Sequence, residues 1–136
     1  MYECSVSDAD FLIQLEQRSF GKDDIDHLWH LRVAWVYLKA HPWPIALQKV
    51  VDLLRTERNF GLGDIPYHHT LTIASLRIIN VRISKADYND FCDFLNDNQD
   101  LVDDMHGVVK RYYSEKAIAS AAAETSYVAP DLRPIE

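Results

Sequence analysis

Apolar positions recur with helical spacing along most of the chain, and capping residues and prolines divide them into segments. Ser7 and Asp10 stand before and among Phe11, Leu12 and Leu15, a capping pattern that predicts a first helix from Ser7 to about Arg18. A turn around Gly21 comes next. From Asp24 to Ala40 no breaker interrupts the sequence, and acidic residues at its start suit the positive end of a helix dipole, so a helix is expected over 24–40. Pro42 stops it at His41, and Pro44 fits the first turn of the next helix, expected over 44–59. Phe60-Gly61-Leu62-Gly63 reads as a loop and Asp64 as the cap of the segment after it. Residues 65–83 carry two signals: Leu71/Ile73 and Ile79/Val81/Ile83 alternate like a strand, while the unbroken length favours a helix.

Ser84 to Asp87 resembles a cap before a helix carrying Tyr88, Phe91, Cys92 and Leu95 that ends at Asp97-Asn98. Further helices are expected over 99–112 and 115–124, and the two prolines after Val128 predict an extended tail. The fold expected is all-α: a compact bundle of about five to seven helices, one domain over residues 1–124 with a tail over 125–136.

The length of 136 residues suits one core, and 48% apolar with 26% charged residues is the balance of a globular chain. Net charge is −7, the wrong sign for neutralising phosphates, so nucleic acid is not the expected partner. No apolar run approaches a membrane span, and the first residues lack a signal-peptide pattern. Cys4 and Cys92 form no Cys-x-x-Cys pattern, which suggests neither a disulfide framework nor a thiolate zinc site and points to the cytoplasm.

The unusual feature of the composition is its histidines. Five of six fall within residues 27–41 and 68–69. His27 and His30 are three apart, about 60° and roughly 4.5 Å on a helix, so they share a face. Leu28, Trp29, Leu31 and Val33 to Leu38 surround them with apolar side chains, which predicts a mostly buried helix. His68 and His69 fall in the expected first turn of the helix capped by Asp64, where the dipole favours neutral imidazole, the metal-binding form. Convergence of His27, His30 and His68, with Glu16, Asp24 or Asp26 as a carboxylate, would make a metal site between facing helices. Adjacent His68 and His69 cannot point the same way, so only one would face it. His41 and His106 read as solvated. Trp29, Trp35 and Tyr67 would line an apolar pocket or simply fill the core, and Arg111 would hold an anionic substrate or pair with surplus carboxylates.

The chain resembles a family of small, mostly uncharacterised bacterial helical proteins, and the likeness runs nearly end to end. It is carried by Leu15-Glu16, the His-x-x-His-Leu-Arg-x-Ala-Trp-x-Tyr-Leu segment from His27 to Leu38, Tyr67 to Thr70, Asn98 to Asp103, Tyr113-Ser114, and Pro130 to Pro134. The family motif usually has Glu where this chain has His69, so a role for that Glu does not transfer. The resemblance supports the histidine site more than any particular reaction.

Two functions are therefore expected. One is a small metal-dependent enzyme, oxidative rather than hydrolytic, using iron, copper, manganese or zinc on an organic metabolite. His27, His30, His68 and Glu16 would be its ligands, His68 or His69 its catalytic imidazole, and Trp35, Tyr67 and Arg111 its substrate contacts. The other is a non-catalytic binding module or accessory subunit whose histidines are structural. Its docking surface would be the acidic stretch of Asp87, Asp90, Asp93, Asp97, Asp100, Asp103 and Asp104. Either is compatible with a small-molecule partner, without nucleic acid or membrane, and with a homo-oligomer.

Overall fold

The computed structural model describes residues 4–17, 19–20, 24, 26–55 and 67–136. The fold is all-α, with nine helices and no strand among the described residues. By their internal contacts the residues form two compact units, Met1–Pro66 with Tyr88–Asp97, and Tyr67–Asp87 with Asn98–Glu136.

In the first unit, α1 (Asp8–Glu16) starts where the Ser7 hydroxyl accepts the Asp10 amide at 3.1 Å. Helix α2 (His27–Ala40) starts where the Asp26 carboxylate accepts the Trp29 amide at 2.9 Å. Each side chain satisfies one of the amides that a helix start leaves open. Pro42 ends α2 as expected, with His41 in extended geometry, and α3 (Trp43–Arg55) comes next with Pro44 in its first turn. Helix α3 lies against α2 and buries Ala46, Val50 and Leu53, which share one face. The rest of the helix expected over 44–59, the Gly61-Leu62-Gly63 loop and Asp64 lie outside the described residues.

Asp8 joins α1 to α2. One carboxylate oxygen accepts the Trp35 indole N–H at 2.8 Å and the other accepts Arg32 Nη2 at 3.2 Å. The Trp35 ring, 1% exposed, meets Tyr88, Phe91 and Phe94 with centroids 5.3 to 6.5 Å apart. These contacts bring α5 (Phe91–Asp97) into the unit although it is more than fifty residues from Trp35 in sequence. Its cap is Asp90, whose carboxylate accepts the Asp93 amide at 2.8 Å, rather than the Ser84–Asp87 stretch. Ser84 instead closes α4.

The second unit is built on α4 (His69–Ser84), which settles the strand or helix ambiguity in favour of helix. Thr70, Ile73, Ala74, Leu76, Ile78 and Ile79 are its buried residues. The single helix expected over 99–112 is two, α6 (Gln99–Asp103) and α7 (Met105–Val109), because Asp104 leaves helical geometry and its carboxylate accepts the Gly107 amide at 3.0 Å. A Cβ at Gly107 would lie 2.1 Å from that carboxylate, so glycine gives the cap its room. Likewise 115–124 is divided into α8 (Glu115–Ala119) and α9 (Ala121–Thr125) by Ser120, which caps α9. Helix α4 packs against α7 and α9.

The expected extended tail is non-helical and firmly held. Fully buried Thr70 donates to the Ser126 carbonyl at 2.8 Å and accepts the Val128 amide at 3.1 Å. Tyr113 donates to the Val128 carbonyl at 2.7 Å, and Asp131 accepts both the Ser114 amide and hydroxyl, at 2.8 and 2.6 Å. Burial pushes the Tyr113 phenol far above its ordinary range, with Tyr127 adding to the effect. It therefore stays a donor to that carbonyl.

Arg82 on α4 forks onto Asp100, at 3.0 and 2.8 Å, and reaches buried Asn98 at 3.0 Å. The Arg82 hydrogen bond is the main cause that holds the Asp100 carboxyl below its ordinary 3.8. A depressed folded-state value means stabilisation that is complete above the unfolded value and lost as pH falls through the folded one. Asp100→Asn should therefore cost about 1 kcal/mol at neutral pH, the scale of a partly exposed bidentate pair. In urea titrations at a series of pH values, that difference from wild type should close as the pH drops below the ordinary carboxylate range.

Candidate functional site

The histidines end up at helix termini rather than around a common point. His68 is the N-cap of α4: its Nδ1 accepts the Leu71 amide at 3.1 Å and its Nε2 meets the Ile118 carbonyl at 3.0 Å. An amide donates only and a carbonyl accepts only, so the ring carries its proton on Nε2. Both nitrogens are then committed, one lone pair to the cap and one N–H to α8. The expectation that Asp64 caps this helix is corrected on the same ground, since His68 is the capping residue and precedes α4 instead of lying in its first turn. His69 Nδ1 lies 2.7 Å from the Tyr67 hydroxyl, which uses both of those candidates locally.

On α2, His27 is exposed in the first turn. The half-buried His30 donates from Nδ1 to the Asp26 carbonyl at 2.8 Å, with its ring edge-on to Trp29 at 5.1 Å. The buried residues of the helix run from Trp29 to Tyr37; His27 precedes them, and His30 stands among them but is only half-buried, its ring turned back to the Asp26 carbonyl. Glu16 is exposed at the end of α1, with the Tyr37 hydroxyl 3.5 Å from its carboxylate. Among the described residues no three His, Cys, Asp or Glu side chains form a group able to hold a metal ion. His41 is half-buried and stacks on Tyr37, and His106 is exposed.

The remaining candidates are equally occupied. Trp35 is a core residue bonded to Asp8, and Tyr67 is bonded to His69. Arg111 pairs with Asp100 at 3.7 Å. Of the acidic stretch, Asp90 and Asp104 cap helices, Asp97 accepts the Tyr88 hydroxyl at 2.6 Å and Asp100 takes Arg82. Four of its seven carboxylates thus have structural partners.

What the sequence did not mark is a cavity of about 340 Å³ in the first unit. Phe11, Phe20, Leu28, Trp29, Phe91 and Leu95 form its apolar wall. Cys4, Ser5 and Val6 line it with Cys92, and Asp24, Asp26 and Arg32 supply charge. Phe20 bridges Phe11 and Trp29, with centroids at 5.0 and 5.9 Å. The Arg32 guanidinium lies 5.0 Å from the Phe11 centroid and 5.4 Å from that of Phe91. Its Nη2 is used by Asp8 and the Val6 carbonyl, whereas its Nε is buried without a hydrogen-bond partner among the described residues. Trp29 is the one pocket aromatic anticipated from sequence that lines this space. A charged residue at position 32, amid the apolar run of α2, was the available signal for the rest.

Cys4 and Cys92, expected as unpaired thiols, are joined in a disulfide across 88 residues. Spacing alone conceals this, because the pairing depends on Trp35 recruiting α5. No helix among the described residues is long and apolar enough to cross a membrane. In comparison with known proteins, no family model, curated protein or solved structure matches the chain. The family resemblance rests on the sequence motifs themselves.

His68→Ala should destabilise by about 2 kcal/mol, combining a lost cap with a lost link to α8. His68→Asn, which caps equally well, should recover about half of that in guanidinium unfolding. Equal losses in the two variants would count against a capping role.

Proposed function

We propose that the chain is a non-catalytic binding module that takes a small, mainly apolar molecule into the cavity of its first unit. The observation that carries this reading is the separation of pocket from imidazoles. The cavity is lined by aromatic residues, Arg32 and two carboxylates with no histidine, while His30, His68 and His69 are engaged in hydrogen bonds at helix ends. Its volume lies in the lower range of small-molecule sites, and aromatic walls with a few polar groups are their usual lining. Arg32 is positioned to meet a polar or anionic end of the ligand, and the rings to cover its body. The Cys4–Cys92 disulfide removes the ground on which the cysteine pattern suggested a cytoplasmic setting.

The rival reading, a metal-dependent oxidative enzyme with His27, His30, His68 and Glu16 as ligands, is supported by the His-x-x-His spacing and the family likeness alone. Metal analysis separates the two. Protein purified without a nickel column should contain no stoichiometric iron, copper, manganese or zinc. Stoichiometric metal that disappears in both His27→Ala and His68→Ala would establish the enzyme reading instead.

The fluorescent probe anilinonaphthalene sulfonate, an aromatic anion, should bind the native protein one to one with a Kd of about 1–100 μM, on the scale of a modest pocket. Leu28→Trp, which fills the cavity from α2, should weaken that binding at least roughly tenfold with unchanged far-UV circular dichroism. Equal binding by this variant would place the probe elsewhere and overturn the assignment.

A further inference from the structure

The disulfide forms part of the cavity wall, and the segment it anchors forms the adjoining part. Cys4, Ser5 and Val6 line the cavity in sequence, opposite no regular element of their own. Among the described residues two ties hold this segment: the bond from Cys4 to Cys92 on α5, and the hydrogen bond from Arg32 Nη2 to the Val6 carbonyl. The helix begins only at Asp8, capped by Ser7. Ser5 and Val6 are exposed, with Val6 at 38%, so little apolar burial retains them.

We infer that the Cys4–Cys92 disulfide is a redox latch that holds residues 4–6 against the cavity, and that reduction by a dithiol frees them and opens it. The inference rests on the ligand-binding reading for its purpose, but not for its local consequence. The bond closes no wider disulfide framework among the described residues; what it fixes is the segment at the cavity wall, which one further hydrogen bond alone would retain. In the reaction, a dithiol thiolate attacks the sulfur of Cys4, a half-buried residue where Cys92 is buried, and the Cys92 sulfur leaves as a thiolate that takes up a proton. The second thiol of the reagent, as thiolate, then displaces Cys4. Two electrons pass from the dithiol, which ends as a cyclic disulfide, and the protein gains two thiols. Asp8, with its bonds to Arg32 and Trp35, remains to hold α1 on α2, so the change is confined to the segment before it.

Hydrogen exchange by mass spectrometry, on oxidised protein and on protein reduced with dithiothreitol, reads the local effect. Exchange at Asp10 and Phe11, whose amides are bonded to Ser7 at the end of the freed segment, should rise at least roughly threefold on reduction, while peptides from α2 and α4 keep their protection. The association rate of anilinonaphthalene sulfonate should rise at least about threefold, and reoxidation should restore both values. Cys4→Ser should behave as the reduced form without any reductant. Unchanged exchange at Asp10 and Phe11, or probe kinetics identical in the two states, overturns the latch. Loss of protection throughout α2 on reduction also overturns it, since the bond would then be a staple of the whole unit. Probe binding in neither state, with the exchange response intact, supports the latch and overturns the ligand reading.

Discussion

Short helices impose a cost at every end, because each start leaves several backbone amides without an intrahelical acceptor. With nine helices among the described residues, five of them seven residues or shorter, this chain has many such ends for its length. The solution recurs: a side chain accepts the amide three residues on. Ser7, Asp26, His68, Asp90, Asp104, Ser114 and Ser120 all do so. Each such cap is worth about 1 kcal/mol, a useful fraction of the total stability of a small domain. Seven polar side chains, His68 among them, are thereby committed to holding helix starts.

That constraint recasts the motifs carrying the family resemblance. Tyr67 to Thr70 supplies the α4 cap through His68 and the tail anchor through Thr70. Ser114 caps α8 and binds Asp131 of the closing Pro-Asp-Leu segment, so two motifs distant in sequence are halves of one clasp. Asn98 and Asp100 are joined through Arg82. Within the second unit these pieces act as the fasteners of helix ends and tail. The polar residues of these stretches are thus as readily accounted for by the demands of capping as by those of a reaction.

The helical class, the first helix start, the break at Pro42 and the non-helical tail were legible because each depends on local signals: caps, prolines and periodicity. The divisions at Asp104 and Ser120 were not, since an Asp or Ser within a helical pattern reads equally well as an exposed helix residue until its amide partner is seen. The metal-site expectation took His27 and His30 as embedded in an apolar helix. Residue spacing gives their common face but not its exposure: His27 is exposed, and half-buried His30 is spent on the Asp26 carbonyl. His68 was placed inside α4 for a similar reason: histidine is an unusual cap, and Asp64 offered a more familiar one. Its ring nevertheless has the acceptor a cap requires.

The cavity was illegible for a different reason. Its walls come from residues 4–6, α1, α2 and α5, so no local window contains even half of it. What assembles these pieces is the placement of Trp35, which bonds to Asp8 on one side and meets the rings of α5 on the other. Arg32 lies one turn before Trp35 and shares the Asp8 carboxylate, so the anchor that fixes the tryptophan also fixes the guanidinium at the cavity wall. The cysteine pair has the same geometric origin: once α5 lies on Trp35, Cys92 is within bonding reach of Cys4. Pocket, charge and disulfide in the first unit are therefore consequences of one long-range packing event.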